Sequence, residues 1–154
     1  MEESKKNAGF SLVELVIVIA IMAVLITVLA PMYLKYVERS KVTTDQQIAS
    51  AVHEAISVAI ADENIEERPL SGFSPNAEVK LEGIGIDTDK PYTEFVKSIK
   101  VFLQVDDLGD IKKGLKSREY KGQDILVKID ELTQNVIITI PSKSGNVTED
   151  LIIK

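Results

Sequence analysis

The carboxyl group of Glu14 lies just inside the front edge of an almost unbroken apolar run that ends at Leu34. A charge in a membrane-length helix costs about 2.5–3.5 kcal/mol at the helix centre and less toward the interface, so it is rare without a reason. The chemistry to expect of Glu14 is the pairing of its carboxylate with a cation. The alternative is an unpaired side chain that extends to the membrane edge.

The residue types that perform most catalytic and metal chemistry are scarce in this chain. It has no cysteine and one histidine, His53, which excludes thiolate zinc sites, iron–sulfur clusters and cysteine nucleophiles and disfavours imidazole-rich metal sites. Nothing resembles a catalytic triad or a phosphate-binding loop. We therefore expect no enzyme and no cofactor.

Two charged clusters are candidate binding sites. Asp106, Asp107 and Asp110 offer oxygen ligands, but their spacing is not that of an EF-hand, and a turn with solvated carboxylates is favoured over a metal site. The segment 112–122 has five cations and one acidic residue, and a solvated loop is favoured over contact with DNA or an anionic surface. The net charge of −6 further disfavours nucleic-acid binding.

The elements that must position Glu14 begin with residues 15–34, which are twenty residues without a charge. A helix of this length spans about 30 Å, the thickness of the hydrocarbon core of a bilayer. The run is too long for an ordinary secretory signal, so an uncleaved single-pass anchor is one interpretation. Pro31 removes one backbone donor and should kink this helix or loosen the turn before it.

Beyond Pro31 the helix is expected to continue to about Asp62. An apolar stripe recurs there at helical spacing and comprises Val37, Thr44, Ile48, Val52, Ala55 and Ala59. His53 is expected at the boundary of that stripe. The residues expected on a solvated face are Arg39, Lys41, Asp45, Gln46, Gln47 and Glu54.

The remaining residues predict a small α+β domain. Residues 62–80 contain two prolines and a glycine and indicate a loop, and Asp89 with Pro91 predicts a short helix from Lys90 to Ile99. Four strand candidates follow, 101–105, 125–130, 136–140 and 151–154. We expect an antiparallel sheet packed on the long helix.

The segment "GFSLVELVIVIAIMAVL" resembles the class III signal of type IV prepilins and pseudopilins. A short polar leader ends in Gly9, Phe10 follows, and Glu14 is the fifth residue after the glycine. Downstream, "PMYLKYVERS" is similar to the pattern that follows the apolar segment in type IVa major pilins. The residues that match this pattern are Pro31, Tyr33, Tyr36, Val37, Arg39 and Ser40.

This resemblance implies a processing and assembly chemistry. A prepilin peptidase would cut after Gly9, and the new amino terminus, Phe10, would be N-methylated. Its α-amino group would pair with Glu14 of the neighbouring subunit, and Pro31 would let the helix bend during transfer from the membrane. The resemblance also implies a ladle-shaped fold. Its parts would be a leader (1–9), a transmembrane and filament-core helix (10–34), an amphipathic helical half (35–62) and a globular part (63–154).

The absence of cysteine is a departure from many Gram-negative pilins, in which a disulfide closes the carboxy-terminal region. It favours a Gram-positive source and an alternative closure, in which the terminal residues 151–154 complete the sheet.

The function implied is that of a structural subunit of a type IV pilus, used in adhesion, twitching motility or aggregation. Its partners would be other copies of itself, the prepilin peptidase, the assembly platform and, before assembly, membrane lipid. It would move from the cytoplasmic membrane to the cell surface. Two alternatives stay open, a pseudopilin of a type II secretion or competence machine and a monomeric membrane-anchored binding module.

Overall fold

A computed structural model describes residues 10–65, 78–84, 93–130 and 133–154. The leader 1–9 with Gly9, the prolines of the 62–80 segment, and the predicted helix start at Asp89 and Pro91 lie outside the described residues. The chain divides into two compact units, Met1–Val37 and Glu38–Lys154.

The first helix, α1, runs from Leu12 to Ala61 and passes through both units. Its last part supplies one wall of the domain core, because residues at helical spacing point to the same side. The buried apolar residues of this wall are Ala49, Val52, Ala55, Ile56, Ala59 and Ile60. The predicted stripe is thus correct at Val52, Ala55 and Ala59, whereas Val37, Thr44 and Ile48 are only half-buried.

The prediction that Asp45 lies on the solvated face of α1 is wrong. Its side chain is fully buried, although Arg39, Gln46, Gln47 and Glu54 around it are exposed as predicted. One carboxylate oxygen accepts the N–H of Lys116 at 2.7 Å and the other accepts the N–H of Ser117 at 2.9 Å. The charge is therefore buried with hydrogen-bond partners that lie more than 70 residues later in the chain.

The second helix, α2, spans Thr93–Leu103, so the predicted strand 101–105 is wrong. Phe95 and Ile99, one helical turn apart, are fully buried and fix the helical period. The helix ends in a Schellman motif: the N–H of Gln104 donates to the carbonyl of Val101, and that of Val105 donates to the carbonyl of Lys100. Gln104 has a φ of 55°, where glycine is usual, so the sequence carries no stop signal.

Within the described residues, the sheet contains four antiparallel strands in the order β1–β2–β3–β4. The strands are β1 (Val79–Lys80), β2 (Leu126–Ile129), β3 (Val136–Ile140) and β4 (Leu151–Ile153). The last three confirm predicted strands, while β1 lies where a loop was predicted. In β3, Val136, Ile138 and Ile140 face the core, and the residues between them are half-buried.

The carboxy terminus closes the sheet as predicted, because β4 pairs with β3 from Ile140–Leu151 to Ile138–Ile153. The loop before β4 is held by side chains instead of a disulfide. The hydroxyl of Ser142 donates to the carboxylate of Glu119, and the N–H of Ser144 donates to the same oxygen at 3.1 Å. The hydroxyl of Tyr120 donates to the carbonyl of Glu149 at 2.8 Å.

In the part of the chain that the structure describes, these elements are connected by three 3₁₀ helices, Leu81–Gly83, Leu108–Gly114 and Val147–Glu149. The apolar core between the sheet and the helices includes Phe95, Ile56, Ile99 and Leu115, all with almost no exposed surface. The domain is therefore α+β: α2 and the carboxy-terminal half of α1 pack against a small antiparallel sheet.

Candidate assembly surface

The amino-terminal turn of α1 places Glu14 in contact with its own backbone. The N–H of Ser11 donates to the Glu14 carboxylate at 2.9 Å, and Ser11 directly precedes the first helical residue. This is half of a capping box, S-x-x-E, in which the acidic side chain satisfies a helix N–H and opposes the positive end of the helix dipole. The S-x-x-E spacing of residues 11–14 is a sequence signal for this cap, and it was not among the predicted features.

The Glu14 side chain is exposed in the first unit, Met1–Val37. Only one of its carboxylate oxygens accepts a hydrogen bond from the described residues. The second oxygen can accept from another donor. Phe10, four residues earlier, is 88% exposed. The carboxylate is therefore held in place at the helix start while one side of it stays open.

The apolar surface of α1 from Leu12 to Leu34 is exposed at every residue. The helix is long and apolar enough to cross a membrane. Soluble monomers rarely expose apolar patches above a few hundred Å², so a band of this length requires lipid or other helices around it. This band is the largest candidate interaction surface among the described residues.

Pro31 lies inside α1, and the helix extends without a break on both sides of it. Proline has no N–H, so the carbonyl of Thr27 lacks its helical donor. The hydroxyl of Thr27 donates to the carbonyl of Ala23 at 2.8 Å, a second local departure from the plain helical pattern. The loosening predicted at Pro31 stays a prediction.

The three aspartates that are candidate metal ligands, Asp106, Asp107 and Asp110, have separate environments. Asp107 caps the 3₁₀ helix Leu108–Gly114 and accepts the N–H of Gly109 at 2.8 Å, Asp110 pairs with Lys113, and Asp106 is exposed. Within residues 10–65, 78–84, 93–130 and 133–154, no group of three histidine or acidic side chains is arranged to hold a metal ion.

The basic segment 112–122 is partly neutralised by carboxylates. Lys112 contacts Glu82 at 2.8 Å and Asp124 at 3.2 Å, and Lys80 contacts Asp124 at 2.7 Å. The hydrogen bonds from Lys80 and Lys112 lower the pKa of Asp124, and the bond to Glu82 is the main cause that raises the pKa of Lys112. This network joins the β1 region to the 3₁₀ helix Leu108–Gly114. With the Lys113–Asp110 pair, two of the five cations of the segment contact a carboxylate.

Comparison with known proteins places the amino terminus in a recognised class. Residues 4–30 match a family model described as the prokaryotic N-terminal methylation motif. The matched range contains Gly9, Phe10 and Glu14.

The chain is also similar to prepilin peptidase-dependent protein A of Clostridium perfringens (strain 13 / Type A), with 33% identity over 92 residues. The match covers 57% of this chain and 66% of that protein, so the chain spans just under two thirds of its relative. No solved structure matches the chain significantly.

Proposed function

Because this chain is a type IV pilin-like protein, we propose that it is a structural subunit of a type IV pilus. The observation that carries the proposal is the exposed apolar surface of α1 from Leu12 to Leu34, which lies largely within the methylation motif matched at residues 4–30 and has Glu14 in its first turn. Pilin-type proteins are structural proteins and not an enzyme family. In this proposal the chain polymerises and has no catalytic role.

Processing comes first in this proposal. The prepilin peptidase cuts after Gly9 and leaves Phe10 as an N-methylated amino terminus. An α-amino group has a pKa of about 7.7–8.0 and is largely cationic below that pH. It supplies the charge that a carboxylate in an apolar filament core requires.

The pairing of Phe10 with Glu14 of the neighbouring subunit sets the register of assembly. Ser11 occupies one oxygen of Glu14 at 2.9 Å, which fixes the carboxylate while the other oxygen is open to the incoming amine. Removing one member of a buried ion pair leaves the other uncompensated, at a cost of about 3–5 kcal/mol. Each subunit that joins gains such a pair.

The fibre follows from the geometry of this contact. A head-to-tail contact between identical subunits that does not close on itself generates an open helical filament. The exposed band from Leu12 to Leu34 lies in lipid before assembly and against other subunits afterwards, so it need not meet water. The partners of the chain are then the prepilin peptidase, a membrane assembly platform, lipid and further copies of itself, and its final location is the cell surface.

The proposal is tested by intact mass spectrometry and electron microscopy of material sheared from cells. The parent chain is expected to begin at Phe10, to carry one extra methyl group and to form fibres. Glu14→Ala is expected to be processed but to yield no fibres. Glu54→Ala, an exposed acidic residue on the same helix, is the matched control and should assemble normally.

Other results would contradict the proposal. A full-length, cell-bound chain without fibres supports the membrane-anchored binding module. A processed and methylated chain that forms only short cell-bound filaments supports a pseudopilin.

A further inference from the structure

The segment 115–121 packs against α1 immediately beyond the apolar run. Asp45 accepts two of its N–H groups, and Glu38 accepts the N–H of Arg118. Glu38 follows Leu34 by four residues, so chain connectivity alone holds it within about 14 Å of the end of the run. The segment is therefore tied to the end of the domain from which the apolar helix leaves.

The cationic side chains of this segment are exposed, because the residues that hold it on the core lie between them. Leu115, Ser117 and Tyr120 are buried and hold the segment on the core. The residues between and after them are exposed, namely Lys116, Arg118 and Lys121. The hydroxyl of Ser117 accepts the N–H of Tyr120 at 3.2 Å and fixes the turn.

The carboxylates beside this segment bind its backbone and not its cationic side chains. Among the described residues, Lys116, Arg118 and Lys121 form no ion pair, and exposed Arg39, which adjoins Glu38, forms none either. We call these four residues the basic patch. Lys80, Lys112 and Lys113, by contrast, each contact a carboxylate.

We propose that the basic patch binds anionic lipid headgroups of the membrane that holds the apolar helix. The proposal rests on the membrane-inserted subunit of the proposed function and goes beyond it. The chain as a whole carries a net charge of −6, so an anionic surface repels most of the domain and attracts the patch. Each basic residue near such a surface strengthens binding on the order of fivefold.

The consequence is a defined orientation of the stored subunit. The patch is fixed by backbone hydrogen bonds to α1, so headgroup contacts at the patch hold the whole domain. Extraction into a fibre breaks these contacts, and the four cations then become available to the acidic surfaces of other subunits.

The test uses the full chain in lipid nanodiscs, either neutral or with about one third anionic lipid, and measures lysine acylation by mass spectrometry. In anionic discs, acylation of Lys116 and Lys121 is expected to fall at least about threefold, and about 0.5 M salt should restore it by screening. Lys97 is the internal control. It shares a surface hollow with Asp62 and Asn64, about 35 Å along α1 from Glu38, and should not respond.

Charge reversal provides a second readout through the reaction of Arg118 with phenylglyoxal. In the variant Lys116→Glu with Lys121→Glu, Arg118 should react equally in neutral and anionic discs. The matched variant Lys97→Glu with Lys100→Glu carries the same change in charge and should retain the protection of Arg118.

Three results overturn the proposal. Equal acylation in both discs refutes the lipid contact and leaves the pilus function standing. Failure of the chain to enter neutral discs removes the membrane segment on which both proposals rest. Protection that appears in neutral discs as more subunits are loaded identifies a second copy of the chain, and not lipid, as the occupant.

Discussion

Replacement of Asp45 by alanine should destabilise the domain severely, because this carboxylate is fully buried and holds a distant segment on α1. It accepts the N–H groups of Lys116 and Ser117 at 2.7 and 2.9 Å. Hydrogen bonds to a charged group contribute about 1.5–3 kcal/mol each, and a buried N–H left unpaired costs about 1–3 kcal/mol. The loss expected for Asp45→Ala is about 3–5 kcal/mol.

That loss is a large share of the roughly 5–15 kcal/mol by which domains are usually stable. Asp45→Asn keeps the shape and one acceptor oxygen, so the expected loss is about 1–2 kcal/mol. Asp106→Ala removes an exposed acidic residue and should change stability by no more than about 0.5 kcal/mol. The three variants separate the buried contact from a general effect of charge.

The assay is urea unfolding of the full chain in detergent, followed by circular dichroism, with amide hydrogen exchange of residues 116 and 117 as a local readout. Both amides should exchange faster in Asp45→Ala than in the parent chain. A loss of less than about 1 kcal/mol, or a loss equal to that of Asp106→Ala, would refute the structural role assigned to this carboxylate.

Three further predictions follow from the same structure. Pro31→Ala restores the helix donor missing opposite Thr27 and should reduce fibre yield, whereas fibres of normal yield and dimensions would show that flexibility at Pro31 has no role in assembly. Hydrogen bonds from Ser142 and from the Ser144 N–H lower the folded-state pKa of Glu119, and those from lysines lower that of Asp124. Their stabilisation is complete above the unfolded pKa values of about 4 and is lost as the pH falls through the folded values, so acid unfolding should steepen below about pH 4 and be less steep in Glu119→Gln. Phe95→Ala empties a fully buried site and should cost about 3–5 kcal/mol in urea unfolding, against a negligible change for exposed Val101→Ala.

Local pattern was sufficient for much of this fold. The short β-branched run 136–140 identified β3 to the residue, and β2 and β4 lie within the predicted ranges. The apolar run and its Glu14 identified the amino-terminal class, because those signals lie within a few residues of one another.

The predictions for residues 101–105 and for Asp45 are wrong because the structure there depends on residues distant in the sequence. Residues 101–105 form a short apolar run of the kind found in strands, but the packing of Phe95 and Ile99 extends α2 to Leu103. The end of α2 at Gln104 has no glycine to mark it. Asp45 seemed a surface residue because its partners lie 71 and 72 residues away.

The candidate site was only partly readable for a similar reason. Phe10 and Glu14 lie only four residues apart in the sequence, so their pattern was evident. The basic patch depends on contacts between α1 and a segment far along the chain, and only the three-dimensional structure distinguishes its unpaired cations from Lys112 and Lys113, which are neutralised by carboxylates.

The tie between Glu119 and the loop that contains Ser142 and Ser144 bears on where the domain can mature. A disulfide at this position would need an electron acceptor and an oxidising enzyme to form. Hydrogen bonds among hydroxyl, amide and carboxylate groups form without any oxidant. The chain contains no thiol that could mispair. The domain can thus fold in anaerobic or strongly reducing surroundings, and, if it is unfolded, it can refold without any redox partner.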